Sequence, residues 1–187
     1  MRTRILAIAL IGMLVVTPTQ SAEFNAIATD KSSLVFVYKQ MNVPVEGRFK
    51  KFSAQISFDP AKPAAAKAAL DVDLASIDAG SSEADDEVAG KAWFNTKTYP
   101  QAKFVSTGVK ALGGNRYEVS GKMSIKGRTQ EVSAPFTFTP QGNGAVVDGA
   151  FVLKRADFAI GEGAWADFGT VANEIQIKFR FLASAGK

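Results

Sequence analysis

The sequence predicts an all-β fold, an antiparallel barrel of about eight strands with one short helical excursion, on three observations. Residues Glu174 to Phe181 alternate strictly, with Ile175, Ile177, Phe179 and Phe181 set against Glu174, Gln176, Lys178 and Arg180. A strand repeats its side-chain direction every second residue, so the four large apolar groups share one face. The same alternation recurs in Leu70, Val72 and Leu74 against Asp71 and Asp73, in Met123 and Ile125 against Ser124 and Lys126, in Phe136 and Phe138 against Thr137 and Thr139, and in Phe151 and Leu153 around Val152. Turn signals separate these runs at short intervals, the pattern of a sandwich or a barrel. A closed sheet of about eight strands is just wide enough to hold one small ligand.

Taken in chain order, residues 1–22 read as a secretory leader: Arg2 and Arg4, the apolar run Ile5 to Val16, then Pro18 and the small residues Thr19, Ser21 and Ala22. The run is shorter than the roughly 20 residues that a spanning helix needs. Cleavage is placed after Ala22, with cleavage after Ser21 as the alternative. No cysteine is present, which excludes a lipid anchor on that residue. The 165 residues that remain suffice for one domain.

Phe24 to Asp30 leads into a first strand, Leu34 to Gln40, and Val43 to Phe58 forms a second, with Pro44 near its start and Gly47 as a bend or bulge. Asp59-Pro60 is a turn, and the Ala-, Lys- and Pro-rich stretch Ala61 to Ala69 reads as a solvated loop in which a helical turn after Pro63 is open. Leu70 to Ser76 is the next strand. Ser81-Ser82 then precedes Glu83, Asp85, Asp86 and Glu87, as at a helix start, with Ser82 as cap, Asp85 in the capping-box position, and Val88, Trp93 and Phe94 packing inward. The carboxylates lack the glycine and alternating ligands of a calcium loop. Beyond Tyr99-Pro100, Ala102 to Leu112, Arg116 to Lys126, Thr129 to Thr139 and Ala145 to Asp157 are joined by Gly113-Gly114-Asn115, Gly127-Arg128 and Pro140 to Gly144. Three consecutive hairpins make a meander. A glycine-bearing stretch, Gly161 to Gly169, carries Trp165 and Phe168 before the last strand, Val171 to Ala183.

Composition narrows the chemistry. With no His and no Cys, the chain has no disulfide, no thiolate nucleophile, no imidazole base and none of the usual zinc ligands. An enzyme would have to work through carboxylates, Tyr, or a Ser–Lys pair such as Ser124 and Lys126, which lie two apart on a polar strand face with no second partner in view. No catalytic role, cofactor or metal is expected. The formal charge falls from +4 to +2 once Arg2 and Arg4 leave with the leader, and the remaining basic residues are dispersed, which argues against nucleic-acid binding. An outer-membrane barrel would turn its apolar faces outward and normally finish on an aromatic residue, whereas this chain ends Ala-Ser-Ala-Gly-Lys.

Several stretches resemble the YceI-like family of lipocalin-like periplasmic proteins that bind polyisoprenoid and related lipids. They are Val45-Glu46-Gly47-Arg48-Phe49 with Phe58-Asp59-Pro60, Ser76-Ile77-Asp78, Trp93-Phe94-Asn95, Tyr99-Pro100-Gln101-Ala102-Lys103-Phe104, Gly121 to Gly127, Lys154-Arg155-Ala156-Asp157-Phe158 and Val171-Ala172-Asn173-Glu174-Ile175. Their order and spacing cover nearly the whole chain beyond the leader. Many members carry a His after the first strand's Lys, and here Lys39 is followed by Gln40, so no role of that His transfers.

The resemblance implies a periplasmic carrier with an apolar tunnel for the tail of an isoprenoid quinone, polyprenyl lipid or similar amphiphile. A cytochrome b561-type membrane protein is implied as a partner by some relatives, and a barrel acting through such protein contacts, without cargo, is the alternative function. The oligomeric state is open, with a homodimer as one choice. The residues expected to line the tunnel are Val72, Leu74, Phe104, Met123, Ile125, Phe136, Phe138, Phe151, Leu153, Ile175, Ile177 and Phe179, unless they simply fill a core. Arg155 and Asp157 either meet a head group or pair with each other, and Trp165 either gates the mouth or caps the barrel end.

Overall fold

A computed structural model describes residues 23–185, and the leader lies outside them. The chain forms β1 (Phe24–Ile27), β2 (Ser33–Gln40), β3 (Val43–Phe49), β4 (Phe52–Ser57), β5 (Lys67–Asp73), β6 (Ile77–Asp78), α1 (Ser82–Ala89), β7 (Gln101–Gly113), β8 (Arg116–Ile125), β9 (Arg128–Gln141), β10 (Gly144–Lys154) and β11 (Glu174–Ala185). All belong to one antiparallel sheet apart from α1, and the neighbours run β4-β5-β7-β8-β9-β10-β11-β2-β3-β6. From β7 to β10 each strand pairs with the next, as the three hairpins predict, and β10 pairs in turn with β11. The register is continuous from Gly144 opposite Ser184 to Lys154 opposite Glu174.

Eleven segments replace the expected eight because two long strands are kinked. Val43 to Ser57 breaks at Lys50-Lys51 rather than at Gly47, and Lys67 to Asp78 breaks at a 3-10 turn, Leu74–Ser76. Ser76 holds both corners together: its Oγ donates to Asp73 O (2.7 Å) and accepts from Lys51 N (2.9 Å). Since β4 continues β3, and β6 continues β5, the two ends of the hydrogen-bonded path lie on strands already joined, and the sheet curls back on itself. The remaining segment, β1, was read only as a lead-in. It pairs with the end of β11 and exchanges two backbone hydrogen bonds with Phe58 (2.9 and 3.0 Å), stitching β11 to the far end of β4.

Two local expectations shift. The helix cap is Ser81, whose Oγ accepts from Ala84 N (3.2 Å), and Asp85 instead accepts from Ala79 N (2.6 Å). The Ala-rich stretch is only partly loop: Pro63–Ala65 is a 3-10 turn, Ala66 is buried, and β5 starts at Lys67. Ala66, Ala68 and Ala69 are small enough to sit in the inner wall, and sequence polarity around them hides that.

Apolar faces point inward and polar faces outward along β7 to β11, the reverse of a membrane barrel. Outside, cross-strand neighbours carry opposite charges, as in Arg180–Asp148 (2.8 Å) and Lys110–Glu118 (2.7 Å), each worth little at such exposure. Inside, large rings lie over glycines. Gly47 sits opposite Phe36 and Gly149 opposite Phe179, and the Gly121 backbone lies under the Phe104 ring. A Cβ on Gly149 would run into Phe179 and stand 2.6 Å from Pro135 O. Gly149→Ala is therefore expected to destabilise by about 1–3 kcal/mol through overpacking. Gly108, whose added Cβ meets nothing within 4 Å, is the control: Gly108→Ala should stay within about 0.5 kcal/mol by denaturant unfolding.

Candidate functional site

The curled sheet encloses a cavity of about 550 Å³, within the usual range for sites that hold small molecules. Eleven of the twelve residues expected inside line it: Val72, Leu74, Phe104, Met123, Ile125, Phe136, Phe151, Leu153, Ile175, Ile177 and Phe179. They reach it because each occupies an inward position of an alternating strand, except Leu74, which the 3-10 turn after β5 turns inward. Phe138 is the exception. Only 2% exposed, its ring packs 4.9 Å from both Phe24 and Phe58, so it fills the core beneath β1. Periodicity gives its face correctly, but β1 covers the space that the face looks into.

Further walls were not selected by alternation. Leu34 and Phe36 of β2 line the cavity, but Val35 and Val37 make the opposite face apolar too, so the pattern there does not choose a side. Ala54, Ala68, Ala69, Ala102 and Ala134 also contribute, and a search for large apolar residues passes over them. Val88, Trp93 and Phe94, expected inward, close the wall beside α1.

The two head-group candidates separate. Arg155 is 1% exposed and lines the cavity, yet its five N–H donors are spent on five backbone carbonyls. Nε donates to Ala172 O (3.2 Å), Nη1 to Ile160 O (2.8 Å) and Gly161 O (3.0 Å), and Nη2 to Trp165 O (2.7 Å) and Val171 O (2.8 Å). Arg155 thus clasps the loop between β10 and β11, and it does not pair with Asp157, which is exposed and outside the cavity wall. Burial pushes the guanidinium pKa down, but the carbonyl dipoles offset the lost water. Gly161 is fixed by this clasp: its φ is +79°, and a Cβ would collide with Arg155 Nη1.

Trp165 lines the same end. Its Nε1 donates to Glu87 Oε1 (2.7 Å) on α1, and its ring lies 5.4 Å from Trp93. The contact couples the β10–β11 loop to the helix. Trp93 lies in the wall beneath, with the Arg155 guanidinium 5.4 Å from its ring centre, inside the cation–π range. Among the described residues, Trp93 Nε1 is the one buried side-chain donor with no partner within the protein.

The Ser124–Lys126 pair does not assemble. Lys126 leaves the strand with φ +49°, and its Nζ donates to Ala159 O (2.7 Å) and Glu162 (2.8 Å), while Ser124 Oγ bonds Thr129 Oγ1 (2.7 Å). Lys126 holds the Glu162 carboxyl below its ordinary pKa, and Lys50, then Arg48, do the same to Asp78. Carboxylates with lowered folded pKa values stabilise above the ordinary carboxylate range and lose that contribution as pH falls through the lowered values. With no His or Cys between, the melting temperature is expected to be flat from about pH 5.5 to 8 and to fall below about pH 4. A step near pH 6.5 in a thermal-melt series would contradict this.

An antiparallel barrel closed around an apolar cavity, with its buried arginine engaged in structural bonds, is the build of a lipocalin-like binding protein. The family model for the YceI-like domain matches residues 26–183, and the chain belongs to that family. It is 31% identical to a UPF0312 protein of Azotobacter vinelandii over 137 residues, covering 70% of this chain and 69% of that one. It is 38% identical to a UPF0312 protein of Pseudomonas putida over 98 residues, 52% of this chain, a match that spans about half (51%) of the relative's length. Among solved structures, Burkholderia cenocepacia BcnA is similar with a TM-score of 0.83 and 48% identity, covering 85% of this chain and 100% of that one. A polyisoprenoid binding domain from Saccharophagus degradans shares the fold, with a TM-score of 0.66 and 16% identity over 89% of this chain and 100% of that one.

Proposed function

We propose that the protein is an exported, non-catalytic carrier that holds the tail of an isoprenoid quinone, polyprenyl lipid or similar long-chain amphiphile inside the barrel. The observation that carries this reading is the apolar cavity of about 550 Å³ running between the Trp93 end and the Phe58–Phe136 end. Burying about ten methylene equivalents contributes roughly 8 kcal/mol, of which immobilising tail and complex removes several, leaving binding weaker than micromolar without a charged anchor. The likeness in fold to the Saccharophagus polyisoprenoid binding domain supports a polyisoprenoid as the class of cargo. The leader at residues 1–22 supports export to the periplasm, with residues 23–187 as one binding domain.

The test is to extract purified protein with organic solvent and analyse the extract by mass spectrometry. A stoichiometric long-chain amphiphile is expected. An empty extract together with no uptake of quinones or polyprenyl lipids in titration would overturn carriage and favour a role in protein contacts.

A further inference from the structure

We infer that Trp165 is the gate of the cavity and Glu87 its latch: a ligand enters and leaves where the indole, pinned across the mouth by its hydrogen bond to Glu87 Oε1 (2.7 Å), swings outward. The inference rests on the carrier reading and adds to it the route of exchange and the bond that sets its rate.

The mouth is located by the cavity residues that also meet solvent. Gln40, Ser81, Glu83 and Glu87 line the cavity and are exposed. Three of them belong to α1 and its cap, and Gln40 pairs with Val171 at the foot of the β10–β11 loop. Trp165 comes from that loop and bonds across to α1, so its side chain spans the gap between the two walls. The other exposed residues of the lining, Lys67 and Lys103, belong to the β5–β7 wall, where Lys103 bonds Asp71 on the paired strand.

The gate is a side chain on a fixed mount. Arg155 Nη2 holds the Trp165 carbonyl (2.7 Å), and the amides of Gly161 and Glu162 both donate to Ala92 O (2.8 Å each), so the backbone stays in place while the indole turns. Inward, the ring rests on Trp93, 5.4 Å away, which seats it when shut. Its chain neighbours Ala164 and Ala166 are exposed and Trp165 itself is half-buried, so an outward swing displaces no packed core. Rotamer changes at such positions are fast, and what remains to set the rate is the latch. Glu87 forms no ion pair among the described residues, so no cation competes with the indole for its carboxylate, and a bond to an ionised acceptor is of the stronger kind.

The test follows N-phenyl-1-naphthylamine, an uncharged apolar probe that fluoresces in dry surroundings, into and out of the protein by stopped flow. Trp165→Phe keeps a ring without the N–H, and Glu87→Ala removes the acceptor. Each is expected to raise the association and dissociation rate constants together by about tenfold, with Kd held within about threefold. Glu87→Gln keeps an acceptor oxygen and should stay within about threefold of the wild type in both rates, and the double variant should be no faster than the faster single one. Rates within about twofold of wild type, a change in only one rate constant, or additive gains in the double variant would overturn the gate and leave carriage standing, with exchange then placed elsewhere, such as beside Lys67. A second readout needs no ligand. The indole proton of Trp165, identified by its loss from the nitrogen-15 spectrum of Trp165→Phe, should exchange with solvent about tenfold faster in Glu87→Ala, while amide exchange in β7 to β10 stays as it was. An unchanged indole exchange rate would overturn the latch whatever the probe does. Failure of the probe and of quinones to bind would overturn carriage, and the gate is then decided by the indole exchange alone.

Discussion

Replacing Arg155 with Met is expected to cost about 3–5 kcal/mol, a drop of roughly 6–20 °C in melting temperature for a domain of this size. Met fills much of the volume of the Arg stem but offers no donor, so the carbonyls of Ile160, Gly161, Trp165, Val171 and Ala172 lose their common partner. Each carbonyl left buried and unpaired carries a desolvation cost, and together they hold one closing loop of the barrel. Arg155→Lys should recover only part, since an ammonium has three donors and no planar fork. Circular dichroism melts of both variants decide the matter. A loss below about 2 °C in Arg155→Met would mean that the loop is held by Trp165–Glu87 and Gln40–Val171 contacts instead. The near-ultraviolet signal of Trp93 and Trp165, which pack on each other beside the guanidinium, should fade before the far-ultraviolet signal.

Ala134→Trp is expected to abolish uptake of a long-chain probe, lowering affinity at least about 100-fold, with the protein still folded. Ala134 is 6% exposed, lies in the cavity wall on β9 and pairs with Val119 of β8. An indole there projects into space meant for the tail and displaces roughly four methylene equivalents, about 3 kcal/mol of burial. In a filled core such a change would overpack by about 1–3 kcal/mol, whereas an open cavity absorbs the ring. Thr137→Trp, on the outward face of the same strand, is the control and should bind normally. Unchanged uptake by folded Ala134→Trp would show that the tail lies elsewhere than in the barrel.

The strands of the meander were legible because each needs only local information. Alternation gives the face, glycine and asparagine give the turns, and β7 to β11 follow in order. What stayed illegible depends on what lies opposite. Nothing in Phe24–Ile27 announces that it will pair with the end of β11 and exchange bonds with Phe58, and that placement turns Phe138 from wall into core. In β2, where both faces are apolar, only the neighbouring strands decide that Leu34 and Phe36 face the cavity.

By itself, then, the sequence determined the class of fold, the family, the absence of imidazole and thiol chemistry, and most of the inward-facing residues, since these follow from composition, short motifs and a two-residue period. Tertiary structure alone decided that the interior is hollow, that Arg155 is a clasp and not a head-group site, and that Trp165 ties its loop to α1 through Glu87. A void and a hydrogen bond are relations between residues brought together from distant parts of the chain, and side-chain periodicity along one strand carries no information about either.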